Sequence, residues 1–222
     1  MLEPIYDSEV YSLRWESKTF GDMFDFAVDA GKNILEANLK IGFLSNLGGP
    51  YLRAIAIIRE IYKKYKNNPF NPAFESAVKT GKFLAEFFTR NFQGYFLNLI
   101  GFSLGTELIK NILEGLALRN QLSMVNKVYL MGGVADKNEL EHIIINSKSS
   151  LSLINLYSEN DSILKYLLKV CKPNLVPVGL NPVKEIEGHE IVNMDCTPFI
   201  NGHLAYREEL NVLSTLLNMK DD

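Results

Sequence analysis

Cysteine is scarce in this sequence, with only Cys171 and Cys196 in 222 residues. Their separation does not fit the closely spaced pairs of a zinc or redox site, so we expect reduced thiols in an intracellular setting. Basic residues are not in excess either, because 23 lysines and arginines stand against 26 aspartates and glutamates, for a net charge of -3. A chain without a positive field has little to hold a phosphate backbone, which argues against a nucleic-acid partner.

Long hydrophobic runs are also missing. The N-terminal residues lack the basic and apolar regions of a secretory signal, and no apolar segment is long enough to span a bilayer. We therefore expect an intracellular protein that is soluble or attached peripherally to a membrane. A composition of 47% hydrophobic and 22% charged residues is typical of a globular protein, and the length predicts a single domain over residues 1–222.

What the sequence does contain is an alternation of two apolar patterns. Short apolar runs predict strands, and apolar residues three or four positions apart predict helices. The predicted strands are residues 9–15, 95–100, 127–131, 151–157 and 190–194. Strands that alternate with helices predict an α/β fold with a parallel sheet of about five strands, covered on both faces.

A long helical region, residues 20–90, separates the first predicted strand from the second. Its third helix is predicted at residues 74–90, after the helix-breaking Asn71-Pro72. We expect this region to form a cap or lid. Its middle helix carries five basic residues against one acidic residue, which is typical of a solvated face and also suits contact with anionic lipid.

Residues 101–105 read Gly-Phe-Ser-Leu-Gly, a G-x-S-x-G pentapeptide between a predicted strand and a predicted helix. A serine at such a sharp turn exposes its hydroxyl, and glycines at Gly101 and Gly105 avoid a clash in the turn. The backbone N–H of Leu104 then points toward the oxyanion of an acyl-transfer reaction. The motif predicts Ser103 as a nucleophile, with an ordinary glycine-rich turn as the alternative.

A serine nucleophile needs a base, and the sequence offers three histidines. His142 falls within a predicted helix, and His189 directly precedes the last strand, at the wrong end of the sheet. His203 follows that strand, on the side where the active groups of parallel sheets gather. His203 is therefore the predicted base, and a surface histidine in a loop is the alternative.

The acid is expected between the serine and the histidine in the sequence, after the carboxyl end of a strand. Asp161 meets both conditions, and it also stands where the N-cap of the next helix is expected. Glu159 and Asp136 are the fallback acids. Asp195 lies close to the predicted base in the sequence, and its expected role is to shape that loop.

The order Ser103, Asp161, His203 is the order of the triad in α/β-hydrolases. In that mechanism the serine Oγ attacks an acyl carbonyl, the histidine takes and returns the proton, and the aspartate orients the imidazole. The sequence thus predicts hydrolysis of an ester, a thioester or a lipid-like acyl group, with no cofactor and no metal.

Four segments resemble the α/β-hydrolase-like domain of the transmembrane and coiled-coil domain-containing proteins, a family of unknown function. They are residues 9–17 (EVYSLRWES), 99–105 (LIGFSLG), 157–161 (YSEND) and 202–207 (GHLAYR), and residues 71–90 and 176–182 extend the similarity. The resemblance implies an α/β-hydrolase fold, serine hydrolase activity and membrane association. Carried over by position, the triad of that family falls on Ser103, Asp161 and His203.

The sequence departs from that family in two places. Thr106-Glu107 follow the elbow where a small residue and then a basic one are expected. Upstream, we expect the family's preceding strand to be missing, together with the loop that supplies the second oxyanion donor. Either residues 9–15 take its place and residues 16–19 supply the donor, or another chain adds a strand, or the oxyanion hole is incomplete.

Two functions stay open on these grounds. The first is a serine hydrolase of the esterase, lipase or thioesterase type. The second is a catalytically impaired binding or structural subunit that docks in a larger, membrane-associated assembly through its incomplete sheet edge. In that case a protein partner or a second copy of the chain completes the sheet.

Overall fold

A computed structural model describes residues 9–13 and 70–209, without the side chains of residues 166, 167, 169, 170, 207 and 208. From Phe70 onward the described residues alternate between helices and strands. The helices are α1 (Phe70–Asn91), α2 (Leu104–Leu118), α3 (Lys137–Ile145), α4 (Ser162–Cys171) and the short α5 (Ala205–Glu208). The strands are β1 (Leu97–Phe102), β2 (Val125–Met131), β3 (Ser152–Tyr157) and β4 (Glu190–Asp195).

The four strands of the described residues form one parallel sheet in the order β1-β2-β3-β4. Leu130 pairs with Gly101 on one side and with Asn155 on the other. Because every strand runs the same way, all their carboxyl ends lie at one edge, where the loops after β1, β3 and β4 meet. The predicted α/β class, with a parallel sheet, is confirmed.

Apolar side chains leave β2 and β3 toward both faces of the sheet. Val128, Leu130 and Leu153 pack into a core with the helices α1, α2 and α3. Tyr129 and Ile154 point the other way, into a second cluster formed with the chain after β4. Two covered faces explain why these strands read as nearly continuous apolar runs in the sequence.

The first predicted strand is wrong where it can be compared with the structure. Residues 9–13 form no strand, and the side chains of Tyr11 and Leu13 are 78% and 53% exposed. Alternation predicts a strand only if a neighbouring strand accepts its hydrogen bonds, and no described residue pairs with this segment. The described sheet therefore has four strands instead of about five. Residues 14–69, with the predicted donor loop and most of the predicted lid, lie outside the described residues.

Helix α1 is described from Phe70, which is earlier than the predicted start at Phe74. Asn71-Pro72, the predicted break, lies within the helix. A proline is best tolerated in the first turn of a helix, because the first N–H groups have no acceptor within it. Pro72 stands in the first turn of the described range, so it does not interrupt this helix.

Every fourth residue of α1 is small on the side that faces α2, and the set consists of Ala73, Ala77, Gly81 and Ala85, all buried. A Cβ at Gly81 would lie 2.4 Å from the carbonyl oxygen of Leu108, and a Cβ at Gly115 would lie 2.5 Å from the Cβ of Ala85. The two helices therefore touch at backbone distance. Helix α2, which begins directly after Ser103, is held between α1 and the sheet.

Candidate active site

Ser103 occupies the turn between β1 and α2 with backbone angles of φ 54° and ψ -120°. A non-glycine residue in such a conformation carries strain of about 1–3 kcal/mol, which persists only where the surroundings enforce it. A Cβ at Gly101 would lie 2.9 Å from the carbonyl carbon and oxygen of Gly105, so the expected clash explains this glycine. At Gly105 itself a Cβ would meet nothing within 4 Å. A steric reason for glycine is therefore present at Gly101, and the described contacts give none at Gly105.

Ser103, His203 and Asp161 form a continuous series of hydrogen bonds. His203 Nε2 lies 2.7 Å from Ser103 Oγ, and His203 Nδ1 lies 2.7 Å from Asp161 Oδ2. A carboxylate only accepts hydrogen bonds, so Nδ1 carries the proton and Nε2 is left to accept from the serine hydroxyl. All three residues are buried. The structure thus brings together the three residues that the sequence order selected.

Asp161 has two partners, one for each carboxylate oxygen. Oδ2 faces His203, and Oδ1 accepts the backbone N–H of Leu164 at 3.0 Å, which makes this aspartate the N-cap of α4. The local sequence places Asp161 at the start of a helix, and the cap fixes the side chain so that its other oxygen points at the imidazole. The two expectations for this residue, capping and contact with the base, are therefore compatible in one geometry.

The other candidate residues lie apart from this series. Asp136 caps α3 through the N–H of Glu139 and also accepts the N–H of Val176. Hydrogen bonding to the side chain of Thr197, and then to its backbone N–H, lowers the pKa of the Asp195 carboxyl. Glu159 is exposed.

The two remaining histidines are also elsewhere. His142 lies in α3 beside Asn146, one helical turn further on. His189 precedes β4, at the opposite edge of the sheet, and burial lowers its pKa. Their predicted exclusion from the site agrees with both positions.

The loop that carries His203 is fastened to the turn that carries Asp161. Ser158 Oγ donates to the carbonyl of Ile200 at 2.9 Å, and Asn160 Nδ2 donates to the carbonyl of Thr197 at 3.0 Å. The N–H of Cys196 donates to the carbonyl of Tyr157 at 2.8 Å. These contacts set the distance between the acid and the base. Sequence reasoning missed them, although small polar residues beside the acid were the available signal.

The imidazole lies in apolar surroundings. The ring centroid of Phe102 is 4.9 Å from that of His203, and Tyr206 is buried against Phe102 and Gly132. Burial raises the pKa of Cys196 to about 12 and raises that of Tyr206 as well, so both groups stay neutral near pH 7. Interactions between charges are stronger in such a site than in water.

Leu104 is the first residue of α2, and the first N–H groups of a helix have no acceptor within it. Its side chain belongs to an apolar cluster beside the elbow, together with Phe70, Ala73, Val134, Leu164 and Leu168. The loop predicted to supply a second oxyanion donor, residues 16–19, lies outside the described residues. The described part therefore places the N–H of Leu104 at the start of α2, beside Ser103 and against a packed apolar cluster.

These features define an α/β protein with serine, histidine and aspartate in hydrogen-bonded series at the carboxyl edge of a parallel sheet. The chain belongs to the DUF726 family of proteins of unknown function, whose family model matches residues 2–220. The predicted resemblance to the transmembrane and coiled-coil domain-containing proteins, a family of unknown function, is confirmed by this match and by the names of the relatives below.

Three relatives represent the similarity. The "probable lipase MIL1" of Saccharomyces cerevisiae is 28% identical over 219 residues, which are 94% of this chain and 20% of the relative. An "uncharacterized membrane protein" of Caenorhabditis elegans is 25% identical over 226 residues, covering 97% of this chain and 36% of the relative. The "transmembrane and coiled-coil domain-containing protein STS1" of Oryza sativa is 28% identical over 203 residues, or 89% and 30%.

The chain thus spans about a fifth to a third of the length of these curated relatives. No solved structure matches it. Within residues 9–13 and 70–209, no helix combines the length and the apolar character needed to cross a membrane.

Proposed function

We propose that this chain is a serine hydrolase of the esterase, lipase or thioesterase type, built on an α/β-hydrolase-like domain. The observation that carries the proposal is the unbroken series from Ser103 Oγ through His203 to Asp161, with both distances at 2.7 Å. Nucleophile, base and orienting acid in this geometry are the groups that acyl transfer to serine requires. The name of the yeast relative, a probable lipase, supports the same reaction class.

In the proposed reaction, Ser103 Oγ attacks the acyl carbonyl while His203 Nε2 takes the hydroxyl proton. Asp161 holds the imidazole in the required tautomer and stabilises it once it is charged. The backbone N–H of Leu104 donates to the oxyanion of the tetrahedral intermediate. The imidazolium then returns the proton to the leaving group, and water releases the acyl group by the same steps.

The surroundings of the serine form a packed apolar cluster. The side chains beside the elbow are apolar, and Leu104, Val134 and Leu164 are nearly inaccessible to solvent. These side chains are packed core that supports the elbow, so the proposed acyl substrate rests on the serine, histidine and aspartate and on the name of the yeast relative. We extend this proposal to the whole chain as a single domain that uses neither a metal nor a cofactor.

Hydrolysis of p-nitrophenyl esters from acetate to decanoate tests the proposal. We expect turnover by the wild type, and a loss of at least about 10⁴-fold in kcat for Ser103→Ala, because removal of the nucleophile disables the whole series. Ser123→Ala is the control, since Ser123 is exposed and lies outside the site. It should keep its rate within about twofold. Equal hydrolysis by Ser103→Ala and wild type would refute the proposal.

A second candidate, a binding subunit of a larger assembly, rests on a different observation. Among the described residues β1 pairs with one strand, β2, and aromatic side chains stand exposed nearby, namely Phe83, Phe87, Tyr95 and Phe96. An open strand edge and exposed aromatic side chains suit a partner chain or a membrane surface. Ester hydrolysis by a purified monomer that depends on Ser103 would rule this candidate out as the sole function.

A further inference from the structure

Thr106 is a buried polar residue that the proposed reaction does not use. Its Oγ1 donates to the carbonyl oxygen of Ser103 at 2.7 Å and accepts the backbone N–H of Ala135 at 3.1 Å. The side chain is fully inaccessible to solvent. One hydroxyl therefore joins the turn that carries the nucleophile to the segment that follows β2.

The carbonyl oxygen of Ser103 accepts three hydrogen bonds. Besides the Thr106 hydroxyl, it accepts the N–H of Thr106 at 3.1 Å and the N–H of Val134 at 3.4 Å. The N–H of Ser103 donates to the carbonyl of Met131 at 3.0 Å. A strained residue keeps its conformation only when its surroundings determine it in several independent ways. Among these contacts, the hydroxyl of Thr106 makes the shortest.

The segment that follows β2 is itself held by hydrogen bonds from the loop that contains Val178 and Gly179. The carbonyl of Ala135 accepts the N–H of Val178 at 3.0 Å, and the carbonyl of Gly133 accepts the N–H of Gly179 at 2.8 Å. A Cβ at Gly133 would lie 2.9 Å from Cγ2 and Oγ1 of Thr106, so this backbone packs directly against the threonine. Thr106 thus connects the nucleophile to a rigid backbone frame.

The geometry points to Thr106 as a positioning residue that holds Ser103 in its strained conformation and so keeps its Oγ aligned with His203. The inference rests on the proposed function, since it concerns the same reaction. Thr106 acts through the Ser103 carbonyl and does not touch the substrate. An alanine or a glycine at this position would make neither hydrogen bond.

The rate of labelling by a fluorophosphonate tests this role, with the protein well below its unfolding temperature. In the labelling reaction Ser103 Oγ bonds to phosphorus, fluoride leaves, and the proton goes to His203. Thr106→Val keeps the shape and loses the hydroxyl, and we expect the second-order rate constant to fall about 10- to 100-fold, as misplacement of a reacting group does. Thr106→Ser keeps the hydroxyl and should stay within about threefold of the wild type. With an ester substrate, the loss in Thr106→Val should appear in kcat and not in KM.

The outcomes separate this inference from the proposed function. If the wild type is labelled and Thr106→Val is labelled equally fast, even with a lower unfolding temperature, Thr106 is only structural and the inference is wrong. If the wild type is not labelled, the proposed function fails, and the inference fails with it. Should Thr106→Val not fold, Thr106→Ser and Thr106→Ala make the same comparison, because both lose the methyl group and only alanine loses the hydroxyl. Equal rates in that pair would overturn the inference.

Discussion

Replacing Asp161 by asparagine is expected to lower kcat/KM for ester hydrolysis by about 10⁴-fold while leaving the protein folded. An asparagine oxygen still accepts the N–H of Leu164, so the cap of α4 is kept. The amide group then faces His203 Nδ1 and donates to it, which puts the imidazole proton on Nε2. In that tautomer His203 has no lone pair for the hydroxyl of Ser103.

The comparison of three variants isolates this effect. Asp161→Ala should lose activity to the same extent and should also lose about 1 kcal/mol of unfolding free energy, since it removes the cap. Glu159→Gln changes the exposed fallback acid two residues earlier and should keep its activity within about twofold. Wild-type activity in Asp161→Asn, or a large loss in Glu159→Gln, would show that the acid has been misassigned.

Replacing Lys110 by methionine is expected to cost about 3–5 kcal/mol of unfolding free energy at pH 7.5, measured by urea denaturation. The Lys110 side chain is 7% exposed, and its Nζ lies 2.8 Å from Oε1 of Glu107, which is 1% exposed. Its other partner is Glu139. These two carboxylates outweigh the effect of burial and raise the pKa of Lys110, so the lysine is charged. Methionine fills the space but leaves Glu107 as a buried carboxylate without its counter-charge.

The unfolding free energy of the Lys110→Met variant should also fall as the pH rises. Burial raises the pKa of Glu107 above its ordinary value, and this burial remains when the lysine is gone. A carboxyl that holds its proton more tightly in the folded state stabilises the protein at low pH, and that contribution is lost as the pH rises through the raised pKa. Unfolding free energies between pH 5 and pH 8 should therefore fall more steeply in Lys110→Met than in the wild type.

Two controls accompany the measurement. Lys184 also pairs with a buried glutamate, Glu141, but its side chain is 72% exposed and the distance is 3.6 Å. Lys184→Met should therefore cost less than about 1 kcal/mol. The double variant Glu107→Leu/Lys110→Met should recover most of the stability, because apolar replacement of a buried pair is often nearly neutral. A cost for Lys110→Met as small as that for Lys184→Met would contradict this account of the pair.

The sequence allowed a prediction of the sheet after residue 95 and of the residues at its carboxyl edge. A parallel sheet places the ends of its strands together, so serine, acid and base could be selected from chain order and strand position alone. With only three histidines in the chain, elimination was enough to single out His203. These residues do lie within hydrogen-bonding distance, whereas their catalytic roles stay predictions.

Other features depend on contacts between segments that are distant in the sequence. The hydroxyl of Thr106 reaches Ala135, and that of Ser158 reaches Ile200, 42 residues away. A small polar residue can signal such a contact, but a local pattern does not show which distant residue it meets. Residues 9–13 have the alternating pattern of a strand but form none. Such a pattern contains no information on whether a neighbouring strand is present.

The most direct test of the proposed hydrolase is to locate the adduct after treating the folded wild type with a fluorophosphonate. Tryptic cleavage after Arg90 and Lys110 releases a peptide of residues 91–110 in which Ser103 is the only serine. We predict a single adduct, on that peptide, absent after heat denaturation and in the variants Ser103→Ala and His203→Ala. Absence of an adduct on the folded wild type, or an adduct on another serine that persists in Ser103→Ala, would contradict the assignment of Ser103 as the nucleophile.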